Sequence, residues 1–198
     1  MTFQDDINGA IREIEGRGSQ DLFLKIIEAR SFLAVSFEQY TQNKNQSVQL
    51  FTDSYYTYHY FAYVNFFYSL KERTAQFINK YLRLGNPIDD VSYHRISHNE
   101  EAQKVFKKIF DFFADPEFKS ISSARKTMVH RSQDYISAIQ IKDSASAPQQ
   151  TPQVKLDKDI LDKPNEKLSI ILIKIVECII DELKEAQSEK GAIDKGSA

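Results

Sequence analysis

Tryptophan is absent from the 198 residues, cysteine occurs once, and glycine (6) and proline (5) are scarce. Each shortage excludes something. One cysteine, Cys178, forms no intramolecular disulfide and builds no thiolate cage, and inside an apolar run it reads as a buried structural thiol. The four histidines lack metal-ligand partners at recognised spacings along the chain, so neither a metal nor a cofactor is expected. So few glycines and prolines argue against a turn-rich β-protein. Charge of one sign is also missing: a formal net charge of −2 excludes a whole-surface basic field of the kind that wraps DNA. The longest apolar run, Ile170 to Ile180, is broken by Lys174 and Glu177 and is too short to span a bilayer, so no membrane association is expected. The start, Met1-Thr2-Phe3-Gln4-Asp5-Asp6, has neither the basic residues nor the apolar stretch of a signal peptide. A soluble, cytoplasmic protein is the expectation.

What is present is helical periodicity. Phe3, Ile7, Ile11 and Ile14 recur at helical spacing and predict a short amphipathic helix ending near Gly16 and Gly18. Ser19 is placed to cap a second helix burying Phe23, Ile26, Ile27, Ala34 and Phe37, which ends within residues 41–46. The next stretch, Phe51 to Tyr68, carries ten aromatic residues in eighteen positions. They fall into two stripes on a helical wheel, one through Phe51, Tyr55, Tyr58, Ala62 and Phe66, the other through Tyr56, Tyr60, Tyr63, Phe67 and Leu70. A helix apolar over most of its circumference belongs at the centre of a bundle, and His59 among those rings reads as a core histidine. This helix is expected to continue to Leu84 and to end at Gly85, a length of about 50 Å at 1.5 Å per residue.

Residues 85–97 are read as a polar loop; His94 and Arg95, with His98 just after it, are residue types that can bind phosphate, and a plain exposed loop is the more ordinary reading. Asn99 caps the following helix, whose core face is Val105, Phe106, Ile109, Phe110, Phe112 and Phe113. Asp115-Pro116-Glu117 then restarts the chain with an acidic cap and a proline at the first helical position. Residues 142–153 read as a mobile connector, Val154 to Ile160 as an extended segment, Asp162 onward as a last helix through Leu183, and 187–198 as a frayed tail. The expected fold class is all-α, a four- to five-helix bundle with a long aromatic-rich central helix, forming a single domain over residues 1–186.

Chemistry concentrates in Ser122-Ser123-Ala124-Arg125-Lys126-Thr127-Met128-Val129-His130-Arg131. From Lys104 to Arg131 there are seven Lys or Arg against three Asp or Glu, a locally positive region. On an ideal helix Ile121, Ala124, Met128 and Tyr135 form one narrow core-facing arc, and Arg125 and His130 lie to the same side of it, roughly 140° and 7.5 Å apart. Val129 lies between them, and an apolar residue away from the core arc predicts that this second face is also covered, by another helix or a second subunit. Histidine titrates near neutrality and can move a proton, while arginine stays charged and grips phosphate oxygens with a planar fork. One histidine does not readily perform both proton transfers of RNA cleavage, so the pair favours a composite site in a dimer.

Arg125 to Arg131 resembles the R-x4-6-H motif of the HEPN superfamily, in its Cthe_2314-like or abortive-infection-like members. The aromatic helix with Tyr68-Ser69-Leu70-Lys71-Glu72 is similar in character to the helices that precede that motif. The resemblance implies an α-helical bundle, commonly a homodimer, and in many members a metal-independent endoribonuclease of toxin–antitoxin, phage-defence or RNA-processing systems. It gives Arg125 and His130 the catalytic roles; Ser122, Lys126 and Arg131 are candidate phosphate and RNA contacts. It also implies an RNA substrate and, in some settings, an antitoxin or other partner protein. The position after the arginine, often Asn or Asp in such proteins, is Lys126 here. Other members are inactive bundles that bind nucleotides or partner proteins, and that is the alternative from a different class.

Overall fold

The computed structural model describes residues 3–44, 52–119, 121 and 161–196, and among them every regular element is helical. In chain order these are α1 (Phe3–Gly16), α2 (Gln20–Lys44), α3 (Thr52–Tyr81), α4 (Tyr93–Ser97), α5 (Glu100–Phe113), α6 (Asp162–Leu168) and α7 (Ile171–Gly196), with single 3-10 turns at Ile88–Asp90 and Pro116–Phe118. Five of these helices are long, and α4 and α6 are short additions. The expected all-α bundle is therefore present. Its backbone is the α2–α3 hairpin. Helix α7 packs against α5 on one side and α1 on the other, and α4 sits on α3.

Helix ends follow local chemistry. The end of α1 is closed by a pair of backbone bonds, Ser19 N to Ile14 O (3.1 Å) and Gly18 N to Glu15 O (2.9 Å), with Gly18 at φ 65°. Both bonds need a left-handed residue, and glycine takes that conformation at no steric cost. Ser19 does precede α2, but its hydroxyl is buried and donates back to Ile14 O (3.0 Å), so it staples the two helices rather than capping the second. The end of α3 repeats the closure of α1, with Leu84 N to Asn79 O and Arg83 N to Lys80 O. Here Arg83 takes the left-handed position at φ 54°, so the helix stops at Tyr81, before the expected Gly85.

The buried stripe of α2 is shifted from the expected one, and that of α3 is one of the two expected. On α2 the core face is Leu22, Ile26, Ala29, Leu33, Ser36 and Tyr40, spaced four and three alternately. Ala34, expected inside, is exposed; Phe23, Ile27 and Phe37 are half-buried at the margin. Apolar residues also stand on the outer side of this helix, at Leu24, Phe32, Ala34 and Val35, so periodicity alone left its rotation undecided. On α3 the stripe through Tyr60, Tyr63, Phe67 and Leu70 is the buried one, continuing through Thr74, Phe77, Ile78 and Tyr81. Of the other stripe, Tyr58 is 65% exposed, while Ala62 and Phe66 are half-buried at the margin, with Phe66 stacked on the exposed Phe32 of α2 at 5.1 Å.

Helix α5 is capped as expected by Asn99, whose side chain accepts from Ala102 N, and it buries Phe106, Ile109, Phe110 and Phe113. Aromatic rings join the helices: Phe106 meets Phe77 and Tyr81 at 6.2 and 5.5 Å, and Phe67 meets Phe113 and Phe118 at 6.0 and 5.3 Å. A polar knot ties α1, α3 and α7. Arg17 donates to Glu13, Glu182 and the Tyr81 carbonyl, its guanidinium lies 4.2 Å from the Tyr81 ring centre, and the Tyr81 hydroxyl donates to Glu182 (2.7 Å). The expected single C-terminal helix is two, because Ser169 turns its hydroxyl onto Glu166 O (2.6 Å) and the chain breaks at Ser169 and Ile170 before resuming. Beyond the apolar periodicity, α7 continues helical to Gly196 through Lys, Glu, Ala and Gln, all good helix formers.

Candidate functional site

Arg125 and His130, with Ser122, Lys126 and Arg131, lie outside the described residues, as do the 142–153 connector and the Val154–Ile160 segment. What is described is the frame from which that part of the chain leaves and to which it returns. On the leaving side Asp115 caps the Pro116–Phe118 turn, its carboxylate accepting from Glu117 N (2.9 Å), as its Asp-Pro-Glu pattern predicts. Phe118 is buried against Phe67, Phe112 and Phe113, and Ile121 is fully buried. On the returning side Leu161 and Leu168 are fully buried. The two sides are joined by Lys167, which bonds Asp115 (2.5 Å) and reaches Glu117 (3.1 Å). That hydrogen bond, together with the one from Glu117 N, holds the Asp115 carboxyl below the ordinary carboxylate range.

Beneath the leaving turn lies a charged group that sequence reasoning passed over. Lys71 is packed in an aromatic box, its ammonium 4.2 Å from the Tyr93 ring centre, 5.6 Å from Phe113 and 5.8 Å from Phe67. Burial lowers its pKa, opposed by the charge of Glu72. Glu72 in turn accepts from Tyr93 N (2.8 Å) and so seats α4 on α3. Burial, with the charge of Asp111, raises the Tyr93 phenol. The signal was present in the sequence: Lys71 follows Phe67 by one helical turn and so borders the buried stripe. Arg30 was also missed. Its Nε donates to Leu168 O (2.9 Å), so α2 holds the end of α6, and burial lowers its pKa.

The locally basic stretch is less positive than its count suggests. Lys107 pairs with Asp111, and Lys108 with Asp181 of α7, both at 2.5 Å on the surface. Lys104 and Lys119 are exposed. His94, Arg95 and His98, expected in a loop, belong instead to α4 and its C-terminal cap, where Ser92 accepts from Arg95 N and so nucleates a single turn. His59 is half-buried with its ring 5.1 Å from that of Tyr58, and burial lowers its pKa. Cys178 is buried as expected, and desolvation pushes its thiol up to about 11, which leaves it a poor nucleophile. Among the described residues no three His, Cys, Asp or Glu gather around a common point, and no helix is long and apolar enough to cross a membrane.

The sequence matches the Cthe2314-like HEPN family over residues 20–189, a range that begins with α2, takes in the whole Ser122–Arg131 stretch and ends within α7. No curated protein and no solved structure matches it. The helical architecture agrees with that assignment: the α2–α3 hairpin, α5 and α7 as far as Glu189 lie inside the matched range, and only α1 precedes it. The chain belongs to the Cthe2314-like HEPN family of all-α domains, a family usually linked to ribonuclease activity.

Proposed function

We propose that this protein is a metal-independent endoribonuclease of the HEPN type, acting as a homodimer in which two copies of Arg125 and His130 form a composite site. The observation that carries the reading is the family match over residues 20–189, within which the R-x4-H stretch lies. His130 takes a proton from the attacking 2′-hydroxyl, and the partner copy's histidine protonates the leaving 5′-oxygen. Arg125 neutralises charge on the phosphorane, while Lys126, Arg131 and Ser122 contact flanking phosphates. The frame supports this use, since the chain on both sides of the segment is anchored: Ile121 and Leu161 are fully buried, and Lys167 spans Asp115 and Glu117. A dimer is supported by the outer face of α2, where Leu24, Phe32 and Val35 are 54%, 47% and 56% exposed, an apolar surface of the kind a second copy covers.

The test is incubation of the purified protein with single-stranded RNA in EDTA, beside His130→Ala and Arg125→Ala, with the oligomeric state measured by sedimentation. Cleavage by the wild type and its loss in both variants is expected. Equal cleavage in wild type and His130→Ala removes that histidine from the mechanism. No cleavage by any form favours the other reading, a catalytically inactive bundle that binds a nucleotide or partner protein.

A further inference from the structure

A second group of chemistry-bearing side chains lies on α4, away from the aromatic core. This one-turn helix is firmly seated. Its Tyr93 ring packs on Phe110 and Phe113 at 6.0 and 5.5 Å, Glu72 holds the Tyr93 amide, Ser92 caps the turn and Ile96 is fully buried. With Tyr93 and Ile96 directed inward, His94 and His98 fall one turn apart on the solvent side, and both are exposed. Their ring centres are 4.5 Å apart. His98 Nδ1 lies 2.7 Å from the His94 carbonyl oxygen. A carbonyl only accepts, so Nδ1 donates, and Nε2 is the ring nitrogen left for a ligand. The Ser97 hydroxyl donates to the same carbonyl (2.9 Å) and braces it.

We propose that His94 and His98 form a surface binding site for a divalent transition-metal cation of the zinc, nickel or copper class. The support is chemical. Two imidazoles at i and i+4 on one turn offer two nitrogen donors to one ion, a pairing the sequence expectation of no metal passed over because it placed these residues in a loop. A ligating histidine characteristically donates its other ring N–H to a carbonyl or carboxylate, and His98 is already bonded in that way. Nitrogen donors select borderline transition metals and not magnesium or calcium, which take oxygen ligands. Among the described residues no third His, Cys, Asp or Glu joins the pair. A two-histidine donor set leaves coordination positions for water or an exchangeable ligand, as in open rather than closed metal sites. The site is independent of the ribonuclease reading, because it uses neither Arg125 nor His130.

The experiment is calorimetric titration of the protein with zinc chloride, nickel chloride and magnesium chloride, in a non-chelating buffer, beside His94→Ala, His98→Ala and His130→Ala. One equivalent per chain is expected in the wild type. Each of the first two variants should lose more than the roughly 10–100-fold affinity that removal of a supporting hydrogen bond costs. His130→Ala should bind as the wild type does. Both exposed positions tolerate alanine without unfolding, which far-ultraviolet circular dichroism checks. Absence of binding, binding unchanged in His94→Ala and His98→Ala, or loss confined to His130→Ala overturns the proposal. Magnesium binding abolished by the same two substitutions overturns the donor-set argument. Cleavage of RNA in EDTA and zinc binding are separate readouts, so either proposal can fail alone.

Discussion

Substituting Phe67 by alanine tests the central claim about α3, that the stripe through Phe67 is core while Tyr58 stands on the outer side. Phe67 is fully buried and its ring meets those of Phe113 and Phe118 at 6.0 and 5.3 Å. Removing a buried phenylalanine costs about 3–5 kcal/mol through lost transfer energy and the cavity left behind. Two ring contacts of about 0.5–1.5 kcal/mol each place this site in the upper part of that range. Against a total stability on the order of 5–15 kcal/mol the loss is large. For a domain of this size, about 4 kcal/mol lowers the melting temperature by roughly 8–16 °C. Phe67→Leu keeps most of the volume and should cost only the ring contacts, about 1–3 kcal/mol. Tyr58→Ala, nine residues earlier on the same helix and 65% exposed in the wild type, should stay within about 0.5 kcal/mol of it. Urea denaturation followed by circular dichroism gives all three values from shifts in the midpoint at constant slope. A loss below about 1.5 kcal/mol for Phe67→Ala, or an equal loss for Tyr58→Ala, would refute the assignment of faces, because the expected contrast rests on burial alone.

Two further outcomes follow from titration. The Asp115 carboxyl is held low by Lys167 and the Glu117 amide, so its contribution to stability is present above about pH 4, its unfolded value, and is lost as pH falls through the lower folded one. Stability curves of wild type and Asp115→Asn should therefore differ at neutral pH and converge in acid; parallel curves down to about pH 2 would remove the Asp115–Lys167 link from the linkage. The Cys178 thiol, pushed up to about 11 by burial, is ionised at pH 8 only to the order of one part in a thousand. A disulfide-exchange reagent should label it only after unfolding in guanidinium, and rapid stoichiometric labelling of the native protein would contradict its burial.

The legibility of this chain follows from the range of the interactions involved. Caps are local, and Asn99 and the Asp115-Pro116-Glu117 restart stand where their residue types placed them. The core face of α5 was equally readable, because its apolar residues alternate cleanly with Lys104, Lys107 and Lys108. On α2 and α3 apolar side chains also stand outside the buried stripe, at Leu24, Phe32 and Val35 and at Tyr58, and they blur the phase of the periodicity. The family was legible from a few residues of motif and a helix of unusual composition, and the match over residues 20–189 establishes it.

By itself, then, the sequence determined the all-α class, the Asn99 and Asp115 caps, the aromatic central helix, the buried thiol and the family. Only the tertiary structure decided which stripe of α2 and α3 faces inward, because that choice depends on what packs against each helix. It also decided where α3 stops, through the Arg83 closure, and that Lys71 is enclosed by rings from two other elements. The same holds for His94 and His98: the chain supplies two histidines four residues apart, but only the seating of Tyr93 and Ile96 turns both rings to one side.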